Sequence, residues 1–216
     1  MLTDIKACIF DMDGTLIDSM DLWYDIDVEY FKRYGKKLPA TYQKEIEGLS
    51  VIETAIYTKE KYGFESSVEE MVAEWNDMAY EHYANNIKYK PYAERFLNKL
   101  KGMGIKLGIA TSNSKALFNA FALSSGLNNI IDVAITGEDV VKGKPDGECY
   151  LKAAKSLKVN PRECLVFEDI CTGIMAGINA GMKTCAVDDN YSKSQWQEKI
   201  AMADYHIFGY KELCEE

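Results

Sequence analysis

The sequence has no long hydrophobic run. Nothing approaches the ~18 consecutive apolar residues that a bilayer-spanning helix needs, so no membrane span is expected. The first residues, Met1-Leu2-Thr3-Asp4, lack a basic stretch leading into an apolar one, and no secretory signal is expected. Positive charge is in deficit: 25 Lys and Arg stand against 34 Asp and Glu, a formal net charge of -9. That balance argues against nucleic acid or an anionic membrane as a partner. The six cysteines, Cys8, Cys149, Cys164, Cys171, Cys185 and Cys214, form no C-x-x-C pair. Cys8, Cys164 and Cys185 sit in or beside apolar runs, so buried reduced thiols in a cytoplasmic protein are expected rather than a zinc site or a disulfide framework. There is no internal repeat and no low-complexity stretch.

What remains is an ordinary globular balance, 47% apolar and 27% charged over 216 residues, enough for one sizeable core with a small second domain. Lys6-Ala7-Cys8-Ile9-Phe10 is a short apolar run that stops at Asp11 and reads as a buried strand. From Ser19 to about Asn86 the texture changes. Leu22, Ile26, Tyr30 and Tyr34 step by four, and Val68, Met71, Val72 and Trp75 step by three and four. Gly35, Pro39, Gly48-Leu49-Ser50, Gly63 and Ser66-Ser67 punctuate the segment, which predicts four helices and no strand. Beyond Lys90-Pro91, helix and strand patterns alternate. Helices are expected over 92–103, 114–124, 146–157 and 172–180, and strands over 105–110, 133–135, 163–167, 182–187 and 205–207. The alternation implies parallel βαβ units. The expected architecture is α/β: a Rossmann-like parallel-sheet core of residues 1–15 and 90–216, with an inserted four-helix cap of residues 16–89.

In an open parallel sheet, sites form beyond the carboxyl ends of the strands. Asp11-Met12-Asp13-Gly14-Thr15 follow the first predicted strand and Thr111-Ser112-Asn113 the second. Lys142-Gly143-Lys144-Pro145 lie past the third, and Glu168-Asp169 follow the fourth. Each group alone has an ordinary structural reading. Asp pairs make turns, Ser112 and Asn113 suit a helix N-cap, Lys144 suits solvent, and two acids suit a helix start. Together, one sheet edge receives acids, hydroxyls and a lysine that no core needs there. Asp11 can serve as a carboxylate nucleophile, splitting a hydrolysis into two steps through an aspartyl-phosphate. Mg²⁺ held by Asp11, Glu168 and Asp169 would neutralise the charge that such an attack brings together. Asp13 can protonate the leaving oxygen and then deprotonate water. Gly14 allows a sharp chain exit. Ser112, Asn113 and the amides around them precede a helix, where donors gather for phosphate oxygens. Lys144 adds fixed positive charge, and Pro145 suits the first turn of the next helix.

The ten residues Phe10-Asp11-Met12-Asp13-Gly14-Thr15-Leu16-Ile17-Asp18-Ser19 resemble the first signature of the haloacid dehalogenase-like hydrolases. Ala110-Thr111-Ser112-Asn113 resembles their second motif, Gly143-Lys144-Pro145 the third and Val166-Phe167-Glu168-Asp169 the fourth. The inserted helices are similar to the cap of the β-phosphoglucomutase-like branch. The resemblance implies Mg²⁺ dependence, Asp11 as nucleophile and Asp13 as acid and base. It also implies that the main-chain carbonyl of Asp13 joins Asp11 and Asp169 around the metal, with Glu168 bound directly or placed just behind. Ser112, Asn113 and Lys144 would hold the transferring phosphoryl group.

The sequence departs from that branch in the cap. The position after Gly48-Leu49-Ser50, where sugar-phosphate mutases carry an arginine for a second phosphate, is Val51. A cap histidine aligns with Trp23 and a cap lysine with Trp75. The two tryptophans are either cap core or apolar lining of the site; Ser50 and Val51 are the other candidate specificity positions. After Glu168-Asp169 the family's small hydroxyl residue is replaced by Ile170. The expectation is therefore a monomeric, cytoplasmic phosphatase of a small phosphorylated metabolite. The alternatives are a β-phosphoglucomutase-type mutase, a dehalogenase indifferent to metal, and a non-catalytic phosphometabolite-binding domain.

Overall fold

The computed structural model describes residues 1–215. Six strands form one sheet: β1 (Ala7–Phe10), β2 (Lys106–Ala110), β3 (Val133–Ile135), β4 (Cys164–Glu168), β5 (Lys183–Val187) and β6 (Tyr205–Ile207). Every neighbouring pair is parallel and the order is β3-β2-β1-β4-β5-β6, so β1 lies at the centre. Alternation along each strand sends side chains to two apolar layers. Cys8, Phe10, Leu165 and Phe167 join one layer, whereas Ala7, Ile9, Cys164 and Val166 join the other. That two-sided burial is why these strands read as continuous apolar runs.

Four helices belong to the segment after β1: α1 (Met20–Arg33), α2 (Tyr42–Ile46), α3 (Val51–Tyr62) and α4 (Val68–Glu81), followed by a π-helical turn over His82–Asn86. Local chemistry sets their starts. Ser50 and Ser67 each close a capping box, with Glu53 and Glu70 respectively. Gly63 ends α3 in the left-handed conformation. The apolar faces meet in an aromatic cluster in which Phe64 packs on Tyr30 and on Phe31, both with centroids 5.2 Å apart, and Trp75 meets Tyr30 edge-on at 5.4 Å.

The rest of the chain supplies α5 (Ala93–Gly102), α6 (Lys115–Ser125), α7 (Glu148–Leu157), α8 (Cys171–Asn179), α9 (Trp196–Met202) and α10 (Lys211–Cys214). The last two escape sequence reading because they are short, and α9 buries chiefly a lysine, Lys199, instead of an apolar stripe. Pro145 does not open α7. The Lys144–Pro145 peptide is cis, and the chain turns through Asp146 and Gly147 before the helix begins. Five cysteines are buried, Cys171 is half-buried, and all six are free thiols.

The chain crosses between core and cap twice, and the crossings touch. Lys90 N donates to the Leu16 carbonyl at 2.8 Å and Asp18 N to that of Lys88 at 3.2 Å. We propose residues 16 and 89 as the cap boundaries on that pairing. The cap also closes onto the sheet edge. Val51 N donates to the Ser112 carbonyl at 3.0 Å, Gly143 N to Glu53 Oε2 at 2.8 Å, and Ser114 Oγ to Asn76 Oδ1 at 2.6 Å. A side chain at Gly143 would meet Ser50 N at 2.6 Å, so a backbone without a Cβ is what lets cap and core approach here.

Candidate active site

β1, β2 and β4 are adjacent, so the residues leaving their carboxyl ends converge. Asp11, Glu168 and Asp169 are all buried and offer carboxylate oxygens that lie within 4.8 Å of one another. Lys144 reaches in from the loop before α7, its Nζ 2.7 Å from Asp11 Oδ1 and 2.5 Å from Glu168 Oε1. Burial alone works against the lysine's charge, but Asp11 and Glu168 more than offset it and hold the ammonium above its usual range. Burial, then the neighbouring Asp11, push the Glu168 acid up to about 7 despite Lys144. Asp169 is raised as well, by burial, Asp11 and Glu168.

Three buried carboxylates facing one lysine leave a deficit of positive charge, and all the free donors are hard oxygens. That set fits Mg²⁺. Asp169 is held for such a role: Thr15 Oγ1 donates to its Oδ1 at 2.9 Å, and Ser192 Oγ and Lys199 Nζ donate to its carbonyl at 2.6 and 2.7 Å. Gly14, at φ +81°, passes so close to Asp169 that a Cβ would lie 2.5 Å from Oδ2. Glu168 is fixed by the Tyr150 hydroxyl at 2.5 Å and lies against Gly173, where any side chain would collide with its carboxylate.

The Asp13 side chain stands apart from this cluster. Its Oδ1 accepts from Ser19 Oγ at 2.7 Å and from the Tyr83 hydroxyl. Its Oδ2 accepts from Asn113 Nδ2 at 3.2 Å. Tyr83 in turn accepts from Trp23 Nε1 at 2.8 Å and from Asn113 at 2.9 Å. Burial and the Asp11 charge raise the Asp13 acid above the usual carboxylate range, while the bonds from Tyr83, Ser19 and Asn113 pull the other way.

A cavity of about 190 Å³ lies between this edge and the cap. Asp11, Asp13, Ser112, Asn113, Lys144 and Asp169 line its core side; Trp23, Val51 and Trp75 line its cap side. The two readings of the tryptophans therefore hold together: Trp75 packs in the cap core and walls the cavity. Two expected site residues are placed differently. Ser50 does not line the cavity, because its hydroxyl is spent capping α3. Asn113, expected at the phosphate, gives its side chain to Asp13 and Tyr83 and its amide to Thr111 Oγ1 at 3.1 Å. The helix cap is Ser114, one residue later. The Ser112 hydroxyl and amide make no hydrogen bond among the described residues, which leaves both for a phosphoryl group.

Tyr83, Tyr150 and Lys199 are the functional residues that sequence reading missed. Tyr83 reaches Asp13 across 70 residues and Lys199 reaches Asp169 across 30, so no local spacing announces them.

A family model of haloacid dehalogenase-like hydrolases matches residues 8–187. The protein YhcW of Bacillus subtilis is 34% identical over 190 residues, covering 86% of this chain and 84% of its own. A bifunctional riboflavin kinase/FMN phosphatase of Arabidopsis thaliana is 33% identical over 188 residues, covering 86% of this chain and 49% of its own. Among solved structures, β-phosphoglucomutase from Clostridium difficile superposes with a TM-score of 0.80 at 26% identity, covering 97% of this chain and 93% of that one.

Proposed function

This chain belongs to the haloacid dehalogenase-like hydrolase family, and from that premise we propose that it is a Mg²⁺-dependent phosphatase that hydrolyses a small phosphorylated metabolite through an aspartyl-phosphate on Asp11. The observation that supports this most directly is the pairing of a buried Lys144 with Asp11 at 2.7 Å, at the rim of a cavity whose other carboxylates are cation-poor. Asp11, Asp169 and the Asp13 carbonyl, with Glu168 bound or just behind, would hold a divalent cation, which would supply the charge neutralisation that lets a carboxylate approach a phosphate.

The chain's own groups do the rest. Lys144 and the free donors of Ser112 hold the phosphoryl oxygens. An oxygen of Asp11 attacks phosphorus, the bond to the leaving alcohol breaks, and that oxygen takes its proton from Asp13. Asp13 suits this role because burial and the Asp11 charge raise its acid above the usual carboxylate range, which favours a proton to give. Asp13 then accepts a proton from the water that attacks the phosphoaspartate, releasing inorganic phosphate and regenerating Asp11. The closed cap excludes bulk water from the first step.

A mutase of the β-phosphoglucomutase type needs cations in the cap for a second phosphate. Lys144 is the only cation among the residues lining the cavity, which favours hydrolysis. A cytoplasmic monomer with neither nucleic acid nor membrane as partner completes the proposal. The net charge of -9 argues against nucleic acid and anionic membranes, the six free thiols suit a reducing compartment, and a cap that must move suits a monomer.

The test is phosphate release from a panel of phosphorylated metabolites with Mg²⁺ and with EDTA. At least one metabolite should release phosphate with Mg²⁺ and lose that release in EDTA. Asp11→Asn should lower turnover by about 10³-fold or more. Turnover near wild type in that variant would end the nucleophile assignment, and a hexose phosphate isomerised without phosphate release would favour the mutase.

A further inference from the structure

The cavity between cap and core is lopsided in charge. On the core side, the Lys144 ammonium is already shared between Asp11 at 2.7 Å and Glu168 at 2.5 Å. The cap side is walled by Met20, Trp23, Leu49, Val51 and Trp75, and its ionisable groups are two acids, Asp27 and Glu47. Asp27 sits on the inward face of α1 beside Ile26 and Tyr30, 7% exposed. Gln43 donates to its Oδ2; its Oδ1 makes no hydrogen bond among the described residues. The Gln43 carbonyl is taken by the Tyr191 hydroxyl at 2.6 Å, which fixes the amide so that its NH₂ faces Asp27. Glu47 receives Gln195 Nε2 at 2.7 Å from the core. Both acids are thus held in place at the cavity, and neither meets a cation.

A carboxylate buried without a cation is costly, and it pushes the Asp27 acid up to about 7. The apolar residues around it gain nothing from it. A donor or positive charge arriving in the cavity would satisfy the free oxygen. A second anion would meet two acids in a low-dielectric enclosure with no free counter-charge.

We infer that the site selects phosphate monoesters whose leaving group is largely apolar and bears a hydrogen-bond donor or a cation in place of a second anion, with Asp27 and Glu47 enforcing the choice. This rests on the phosphatase reading of the same site and names the substrate class it takes. Bisphosphates and phosphorylated carboxylic acids are rejected; phosphorylated amino alcohols and phosphate esters with N–H-bearing rings are accepted.

The test uses a charge series on one scaffold at pH 8: benzyl phosphate, 4-(aminomethyl)benzyl phosphate and 4-carboxybenzyl phosphate, whose leaving-group acidities are close. For the wild-type protein with Mg²⁺, kcat/KM for the neutral and cationic esters should exceed that for the carboxylate by at least tenfold. In Asp27→Asn and in Glu47→Gln the ratio within each variant should shrink, to below about threefold in the double variant. The matching benzylphosphonates, titrated calorimetrically, read the same preference without turnover. A tenfold preference among phosphonates with no phosphate release from any ester overturns the phosphatase reading and upholds the selectivity. Equal handling of the carboxylate by wild type in both assays overturns the selectivity, as does a ratio unmoved in all three variants.

Discussion

The sheet edge and the cap bury polar groups in opposite ways. At the edge, nearly every buried polar atom has a named partner: Lys144 has two carboxylates, Glu168 has Lys144 and Tyr150, and Asp169 has Thr15, Ser192 and Lys199. In the cap, the Tyr30 hydroxyl and the Trp75 indole N–H are buried with no hydrogen-bond partner, and Asp27 leaves one oxygen unmet. The edge is a hydrogen-bonded network that fixes the reacting groups and is short only of positive charge. The cap is an apolar enclosure in which Tyr42 and Thr58 satisfy each other while Tyr30, Trp75 and Asp27 are left incomplete.

That contrast breaks most sharply at Lys144. Replacing it with Met leaves Asp11 and Glu168 buried against each other with nothing between them. A loss of about 3–5 kcal/mol is expected in urea unfolding without added metal. Added Mg²⁺ should recover part of it, because the cation enters the same deficit. A variant as stable as wild type would mean that Lys144 does not hold the edge carboxylates together.

The cap answers differently to pH. Burial lifts the folded-state acid of Asp27 to about 7 from its ordinary value of 3.8, so between those values the folded chain binds more protons than the unfolded chain. Stability from this group is therefore present at low pH and lost as pH rises toward 7 and beyond, by up to about 4 kcal/mol. Asp27→Asn removes the loss. The difference in unfolding free energy between pH 5 and pH 8 should be smaller in the variant, and an unchanged difference would show that Asp27 is hydrated or paired.

Tyr83 joins the two regions, since it lies in the π-helical turn that ends the cap and donates to Asp13. Tyr83→Phe keeps the ring and removes the hydroxyl that Trp23 and Asn113 also use. We expect kcat to fall about tenfold with little change in KM, the mark of a residue that positions the acid rather than holding substrate. A larger effect on KM would place Tyr83 among the cap's binding groups.

The same divide separates what the sequence reveals from what it hides. Asp11, Ser112, Lys144 and Asp169 are legible because a parallel sheet delivers strand ends to one edge, and strand ends show as apolar runs that stop. The four cap helices are legible from their periodicity and from the Gly, Pro and Ser breaks between them. Asp27 and Gln43 are not. They lie 16 residues apart on different helices, and an acid on an amphipathic helix looks like a solvated one until packing turns it inward. The tie from Asn113 to Asp13 is hidden for a related reason, since its motif position points to phosphate and only the fold brings its side-chain NH₂ to Asp13. Lys199 hides in a helix too short and polar to show a stripe.

The paired crossings carry a consequence of their own. Leu16 and Lys90 are joined by one hydrogen bond of 2.8 Å, although 74 positions separate them. A loop whose two feet stand that close can be lengthened, shortened or exchanged whole, and the sheet beneath keeps its path. The segment between those feet is one insertion: transplanting residues 16–89 onto another sheet of the same topology should carry the apolar cavity wall and Asp27 across in a single graft, while Asp11, Lys144 and Asp169 stay with the sheet they left.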